Sequence, residues 1–337
     1  MDIVHFLNVL EGDCNIIQHS SNRSTVIDVS NAYNKEDTPE EAAAKTSRER
    51  EERRNRTGVP SGKTDYKQKL YPDNPIDYIG RLGIKKIWRF VVTHPDMDHL
   101  DGIKDLYTEY SPINTWDTNN DKFLDETKFA GGYNKEDWKF YRQLRDGQYT
   151  GTKRLPLLAK HQADFWNQDN LKILCPTQGL VDEANKCKDY NESSYVLLFT
   201  PPKAGGGHWK FLFAGDTHDA AWDYILTNFK QEVSDIDVLF APHHGRDSGR
   251  NYDFLETLNP RLTLMGNASH KHLAYSSYPQ VRITNNQAGY VVLRIQEERF
   301  DVYVKNYEFA KNFRAKQGWG LPSFNKEANA WHLRNFK

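Results

Sequence analysis

Four side chains able to ligate a metal, His94, Asp96, Asp98 and His99, fall within six residues of the stretch KIWRFVVTHPDMDHLDGI, residues 86–103. Two carboxylates and two imidazoles crowded onto one loop repel, or lose hydration, unless a positive charge sits among them. A divalent metal supplies that charge. A polar loop that only caps a helix would need a single Asp to accept from the helix backbone. The residue types therefore point to metal-assisted hydrolysis, in which a bound cation lowers the pKa of a water toward neutrality.

The element that must position this loop is the apolar, β-branched and aromatic run Ile87, Trp88, Phe90, Val91 and Val92, which predicts a buried strand ending at Thr93. Beyond it, Leu100, Ile103, Leu106 and Tyr107 have helical spacing over 100–110. Three later points repeat the pattern of an apolar strand followed by a ligand-type residue. Asp216 follows FLFAG, His243 and His244 follow VLFAP, and His270 and His272 follow RLTLMGNAS. Strand ends along one rim of a sandwich can meet, so residues 94–272 can build one site.

With 45 basic and 46 acidic residues in 337, the net charge of −1 gives no global electrostatic reason to expect a nucleic-acid or membrane partner. Cys14, Cys175 and Cys187 are odd in number and show no CxxC spacing, so neither a disulfide framework nor a zinc ribbon is expected. The N-terminal MDIVHFLNVLEGD reads as a first strand, because Asp2 and His5 sit where a signal peptide would be apolar. No apolar run approaches the ~20 residues that span a bilayer. A cytoplasmic protein without a membrane partner is the expectation.

Along the chain, 3–10, 14–18 and 24–29 predict a strand meander. Residues 33–75 are dense in alternating charge and read as an insertion, with a solvated helix over 40–54 and a mobile loop over 57–63. A second insertion, 117–170, has helical spacing at Trp138, Tyr141 and Leu144, which predicts a packing helix or a substrate wall. Strands then alternate with helices: strands over 171–176, 194–200, 209–215, 236–241, 261–265, 290–295 and 300–304, helices over 219–229 and 251–258. That order suggests two packed sheets with helices outside. One domain, 1–304, is expected to carry both insertions, with an aromatic, basic extension at 305–337 packing on it.

The site residues resemble the metallo-β-lactamase-fold hydrolases, whose HxHxDH signature stands here as His94-Pro95-Asp96-Met97-Asp98-His99, with Asp96 for the second histidine. The closer resemblance is to the branch holding the ComEC/Rec2 hydrolase domain and the phosphorylcholine esterases. Its motifs match THPDMDHLDG, Asn191–Ser194, Gly215-Asp216 and PHHG at 242–245, with Gly12-Asp13 and Ile27-Asp28 matching its opening turns. The resemblance implies an α/β fold, an αββα sandwich of two mixed β-sheets with helices on the outer faces, and a dinuclear centre of Zn²⁺ or Mn²⁺. One ion would be held by His94, Asp96 and one histidine of the HHG pair, His244 in preference to His243. The other would be held by Asp98, His99 and either His270 or His272, with Asp216 bridging. Asp98, His270 and His272 are the residues expected to act in catalysis, the late histidine that is not a ligand protonating the leaving oxygen.

The chemistry also follows from the ligand types. Two divalent ions about 3.5–4 Å apart can share a water and make hydroxide available at pH 7. Asp96 adds an oxygen ligand and negative charge, which makes Mn²⁺ acceptable beside Zn²⁺. An anionic phosphodiester, in a nucleic acid or a nucleotide, suits a bare dicationic face better than a neutral lactam does. The near-zero net charge argues against a long duplex as substrate. The competing expectations are an esterase, lactonase or thioesterase on the same centre, and a metal-stabilised interaction module whose insertions are partner surfaces.

Overall fold

Phe211, Leu212 and Phe213 in one short strand face opposite ways: the two phenylalanines enter one hydrophobic cluster and the leucine another. Strand side chains alternate between faces, so a strand apolar on both faces must be covered on both. The whole architecture repeats that arrangement. The computed structural model describes residues 1–30, 66–126, 133–161, 168–267, 273–279 and 281–337. The charged helix expected at 40–54 and the loop at 57–63 lie outside them.

The chain opens with β1 (Asp2–Phe6), β2 (Asn15–Gln18) and β3 (Ser24–Ile27), an antiparallel meander, and continues with β4 (Arg89–Val91), β5 (Asn114–Trp116) and β6 (Lys153–Leu155), each parallel to the strand before it. It then crosses to a second sheet through β7 (Leu171–Cys175) and β8 (Val196–Phe199). The hairpin of β9 (Pro202–Lys203) and β10 (Gly207–His208) interrupts the chain before β11 (Phe211–Phe213), β12 (Val238–Phe240), β13 (Leu262–Met265) and β14 (Arg282–Thr284). Finally it returns to the first sheet with β15 (Val291–Ile295), β16 (Phe300–Val304), β17 (Phe324–Asn325) and β18 (Ala330–Phe336). The first sheet runs β17-β18-β16-β15-β1-β2-β3-β4-β5-β6 and the second β14-β13-β12-β11-β8-β7. Both mix parallel and antiparallel pairs. Segment 305–337 thus supplies the last two strands on one side of the first sheet, β17 at the edge and β18 next to it.

Between the sheets, Val4, Phe6, Ile27, Val91 and Trp116 of the first meet Phe199, Phe211, Phe213, Phe240 and Leu264 of the second. Outside the first sheet lie the helices α1 (Pro75–Arg81), α2 (Ile103–Tyr110) and α3 (Lys135–Arg145), which bury Ile79, Leu106, Trp138 and Tyr141 against Val26, Phe90 and Val92. Removing such a side chain from water contributes about 1.5–3 kcal/mol. Outside the second sheet, α4 (Gln178–Cys187) and α5 (Asp219–Val233) are followed by α6 (Phe254–Leu258), and Trp222, Ile225 and Phe254 cover Leu198, Leu212 and Leu239. The protein is an αββα sandwich. Two further helices, α7 (Asn285–Ala288) and α8 (Tyr307–Lys316), lie on either side of the β15–β16 hairpin in sequence.

The helix expected over 100–110 begins later, at Ile103, because residues 97–99 tighten into a 3-10 turn and Gly102 takes a left-handed φ of 97°. Its first turn is capped from another helix. Asp137 of α3 accepts from the backbone N–H of Gly102 and of Lys104, each at 2.9 Å. The 117–170 segment therefore steadies the helix that follows the ligand loop.

His5 on β1 gives the fold a pH dependence away from the site. Burial pushes its imidazole from 6.5 down to about 4, against a hydrogen bond with Gln18 that favours the charged form. The folded pKa lies below the unfolded one, so this stability is complete above pH 6.5 and is lost as pH falls from 6.5 toward 4, by about 3 kcal/mol at most. Urea titrations should show the wild type's lead over His5→Gln shrinking across that window. Parallel curves for the two proteins would refute this origin.

Candidate metal centre

Four central strands of the sandwich run into polar residues of one site. β3 ends at Asp28, β4 runs into Thr93 and His94, β11 into Gly215-Asp216, and β12 into Pro242-His243-His244. Short apolar strands locked between two layers leave little freedom at these ends.

Asp216 is the meeting point. Its Oδ1 lies 3.4 Å from His99 Nε2, and its Oδ2 lies 3.8 Å from His94 Nε2, 3.6 Å from His244 Nε2 and 3.7 Å from His243 Nε2. Asp96 Oδ2 stands 3.9 Å from His94 Nε2, and Asp98 Oδ2 stands 4.0 Å from His99 Nε2 and 3.5 Å from His244 Nε2. Three groupings could each hold an ion: His94, His99 and Asp216; Asp98, His99 and His244; and Asp13, Asp216 and His244.

The pairing of His244 differs from the one expected. It stands with Asp98 and His99, while His243 approaches Asp216 Oδ2. Both histidines have positive φ, 52° and 57°, within a tight turn, so their rings diverge at 80°. Strand alternation could not have foretold this. His270 and His272 lie outside the described residues.

Buried atoms show what the cluster lacks. Among the described residues, His94 Nε2, His99 Nε2, His244 Nε2 and Asp216 Oδ1 are buried without a hydrogen-bond partner. Orphaned buried polar atoms are costly, and four of them converging on one space fit divalent cations. The opposite ring nitrogens of His94 and His99 are already occupied. His99 Nδ1 donates to Asp28 Oδ2 at 2.8 Å. The Thr93 hydroxyl gives its proton to Asp28 at 2.6 Å, so its oxygen accepts from His94 Nδ1 at 3.1 Å. His244 Nδ1 faces Asp13 Oδ1 at 3.2 Å, close but off the hydrogen-bonding direction. Once neutral, the His94 and His99 rings therefore turn an Nε2 lone pair toward the centre, the tautomer that metal ligation requires.

The electrostatics agree. Burial works against charge on Asp216, yet His244, His99 and His94 together hold its carboxyl well below the usual carboxylate range. Burial likewise disfavours charge on His99 and His244, but carboxylates outweigh it, led for each by Asp216, and hold both imidazoliums well above their usual range. Burial and His99 lower His94, and burial lowers His243 to about 4. The carboxylates gathered here favour positive charge at the site, protons included.

Asp13, Asp28, Thr93, Lys122 and Arg250 were not read from the sequence as site residues. Lys122, from the 117–170 segment, pairs with Asp96 Oδ1. Arg250 donates to His243 Nδ1 at 3.0 Å and to the Asp216 carbonyl at 3.4 Å. A signal existed for Asp13 and Asp28, which end a loop and a strand in the same way as the ligands. None existed for Lys122 or Arg250.

No family model matches the sequence, and no curated protein does. Among solved structures, a diphosphatase of the PhnP family aligns over 88% of this chain and 99% of its own, at 11% identity and a TM-score of 0.38. YhfI from Bacillus subtilis, a metallo-beta-lactamase fold protein, aligns over 84% and 96%, at 10% identity and 0.44. The Rm3 metallo-beta-lactamase aligns over 72% and 76%, at 9% identity and 0.35. With these TM-scores below 0.5, none of the likenesses bears on what the site does.

Proposed function

We propose that this chain is a dinuclear metal-dependent hydrolase of the metallo-β-lactamase type, acting on an anionic phosphodiester of a nucleotide or nucleic acid. The observation that carries this reading is the convergence of buried, unpartnered Nε2 atoms of His94, His99 and His244 on Asp216. One ion would be held by His94 and Asp96, the other by Asp98, His99 and His244, with Asp216 shared. When bound, such ions acidify a water and stabilise negative charge on the electrophile.

The chain's own residues arrange the rest. Asp28, Thr93 and Asp13 orient the imidazoles, and such outer partners are each worth roughly 10–100-fold in metal affinity or activity. Asp96 and Asp98 have more exposed side chains than the buried imidazoles, which marks the side by which a substrate enters. Lys122 beside Asp96 puts a cationic side chain at that mouth, and Arg250 lies buried behind His243. Their positive charge favours an anionic substrate over a neutral lactam. Among the described residues no helix is long and apolar enough to cross a membrane.

The test is metal analysis of the purified protein followed by a panel of bis(p-nitrophenyl) phosphate, single-stranded oligonucleotides, cyclic nucleotides, phosphorylcholine esters, p-nitrophenyl acetate and lactones. Two ions per chain and Mn²⁺- or Zn²⁺-dependent phosphodiester cleavage are expected. Turnover of carboxylic esters or lactones alone would reassign the electrophile. Folded protein that takes up no metal would overturn the reading.

A further inference from the structure

We propose that Phe123 is the shelf on which the nucleobase of a nucleotide stacks when that nucleotide's phosphate lies at the candidate metal centre. The proposal deepens the hydrolase reading, on which it rests, by choosing nucleotides among the phosphodiesters. Phe123 is 71% exposed, the most exposed aromatic side chain among the described residues. A lone exposed ring is ordinary on a protein surface, so its place and its fixed setting carry the argument. The preceding residue, Lys122, reaches the mouth of the centre and pairs with Asp96. Adjacent Cα atoms are about 3.8 Å apart, so the ring projects from the edge of that mouth.

Two helices hold the loop that presents it. Arg145 of α3 donates to the Lys122 carbonyl at 2.8 Å and to Asn120 Oδ1 at 3.3 Å, and Asn120 Nδ2 donates to the Tyr141 hydroxyl at 2.6 Å. From α4, Asn185 accepts from the Asp121 N–H at 3.0 Å and donates to the Asn119 carbonyl at 3.1 Å. A loose loop would let such a ring turn inward and shed its exposed apolar area. Here the backbone is pinned on both sides and the ring stays out, so a partner that stacks on it has little ordering to oppose it. The guanidinium of Arg142 lies over the ring, 5.9 Å from its centroid, and most of the remaining ring surface is open. That cation selects the partner. A nucleobase is uncharged and offers a π-face, whereas the quaternary ammonium of a phosphorylcholine ester would meet like charge on Arg142 and on Lys122.

The experiment titrates AMP, ribose 5-phosphate and phosphorylcholine into the Mn²⁺-loaded full-length protein by calorimetry, for wild type, Phe123→Ala, Phe123→Trp and Trp319→Ala, with the metal content and melting temperature of each. Wild type should bind AMP about 10-fold tighter than ribose 5-phosphate, the size of one base–aromatic stack, and phosphorylcholine no tighter than ribose 5-phosphate. Phe123→Ala should lose the preference for AMP while keeping its affinity for ribose 5-phosphate, its metal content and its melting temperature. Phe123→Trp should retain the preference, and so should Trp319→Ala, which removes an exposed ring of the C-terminal segment. Equal affinities for AMP and ribose 5-phosphate in wild type, no binding of either, or a preference that survives in Phe123→Ala would overturn the proposal and leave the hydrolase reading to its own turnover panel. Wild-type protein that takes up no metal would overturn both.

Discussion

An Asp216→Asn variant should take up at most one divalent ion and lose turnover by more than the roughly 10–100-fold that loss of an outer-shell partner costs. Asp216 lies within 4 Å of four imidazole Nε2 atoms, and no other carboxylate among the described residues reaches all four. The fold should survive. Breaking a buried ion pair costs about 3–5 kcal/mol when the remaining charge has no escape. Here the remaining charges are protons on His99 and His244, held there chiefly by Asp216. Once its charge is gone the imidazoles can release them and become neutral. The metal-free variant should therefore melt close to the metal-free wild type, whereas only the wild type should gain stability with metal, about 2.7 kcal/mol at 100 times the dissociation constant. Melting curves with and without Mn²⁺, with metal counts and turnover, check this. An Asp216→Asn protein with full metal content and full activity would remove the centre from the mechanism.

The rim was legible because it is written locally. A strand buried on both faces must be apolar, so a carboxylate or imidazole just beyond its end stands out, as Asp216 does after β11 and His244 after β12. What positions those ligands is not local. Asp28 and His99 are 71 residues apart and Asp13 belongs to a different loop from His244, so only the folded chain shows that they face each other. Tautomers are further removed still, because they depend on which partner reaches Nδ1. The strands of the C-terminal segment were hidden for another reason. Ala330, Leu333 and Phe336 of β18 are buried at a spacing of three, and the pairing with β16 shifts register between Val302 and Tyr303. An irregular strand of this kind hides the period of two on which the reading depends. Helix α4 has only Val181 and Ala184 buried, too narrow an apolar stripe to stand out from its charged surface.

Gly12→Ala should be among the most damaging single-methyl additions to this chain. Gly12 has φ of +82°, and a Cβ there would sit 1.6 Å from the carbonyl oxygen of Asp98. That oxygen is backbone and has no rotamer to retreat into. Either the turn carrying Asp13 or the 3-10 turn carrying Asp98 must move. The first is anchored by the Leu7 N–H donating to the Cys14 carbonyl at 3.1 Å, and the second by the His99 N–H donating to the Asp96 carbonyl at 3.0 Å. Overpacking of about 1–3 kcal/mol therefore adds to backbone strain of similar size. Gly205 is the control, since its φ of +85° is nearly the same and nothing lies within 4 Å of its added Cβ. Gly205→Ala should cost only the left-handed strain, roughly 1–2 kcal/mol, and keep wild-type metal affinity. Gly12→Ala should cost more in urea denaturation and also weaken metal binding, because Asp98 and the Asp13 contact to His244 both shift. Equal stability and equal metal affinity in the two variants would mean that this loop contact does not build the centre.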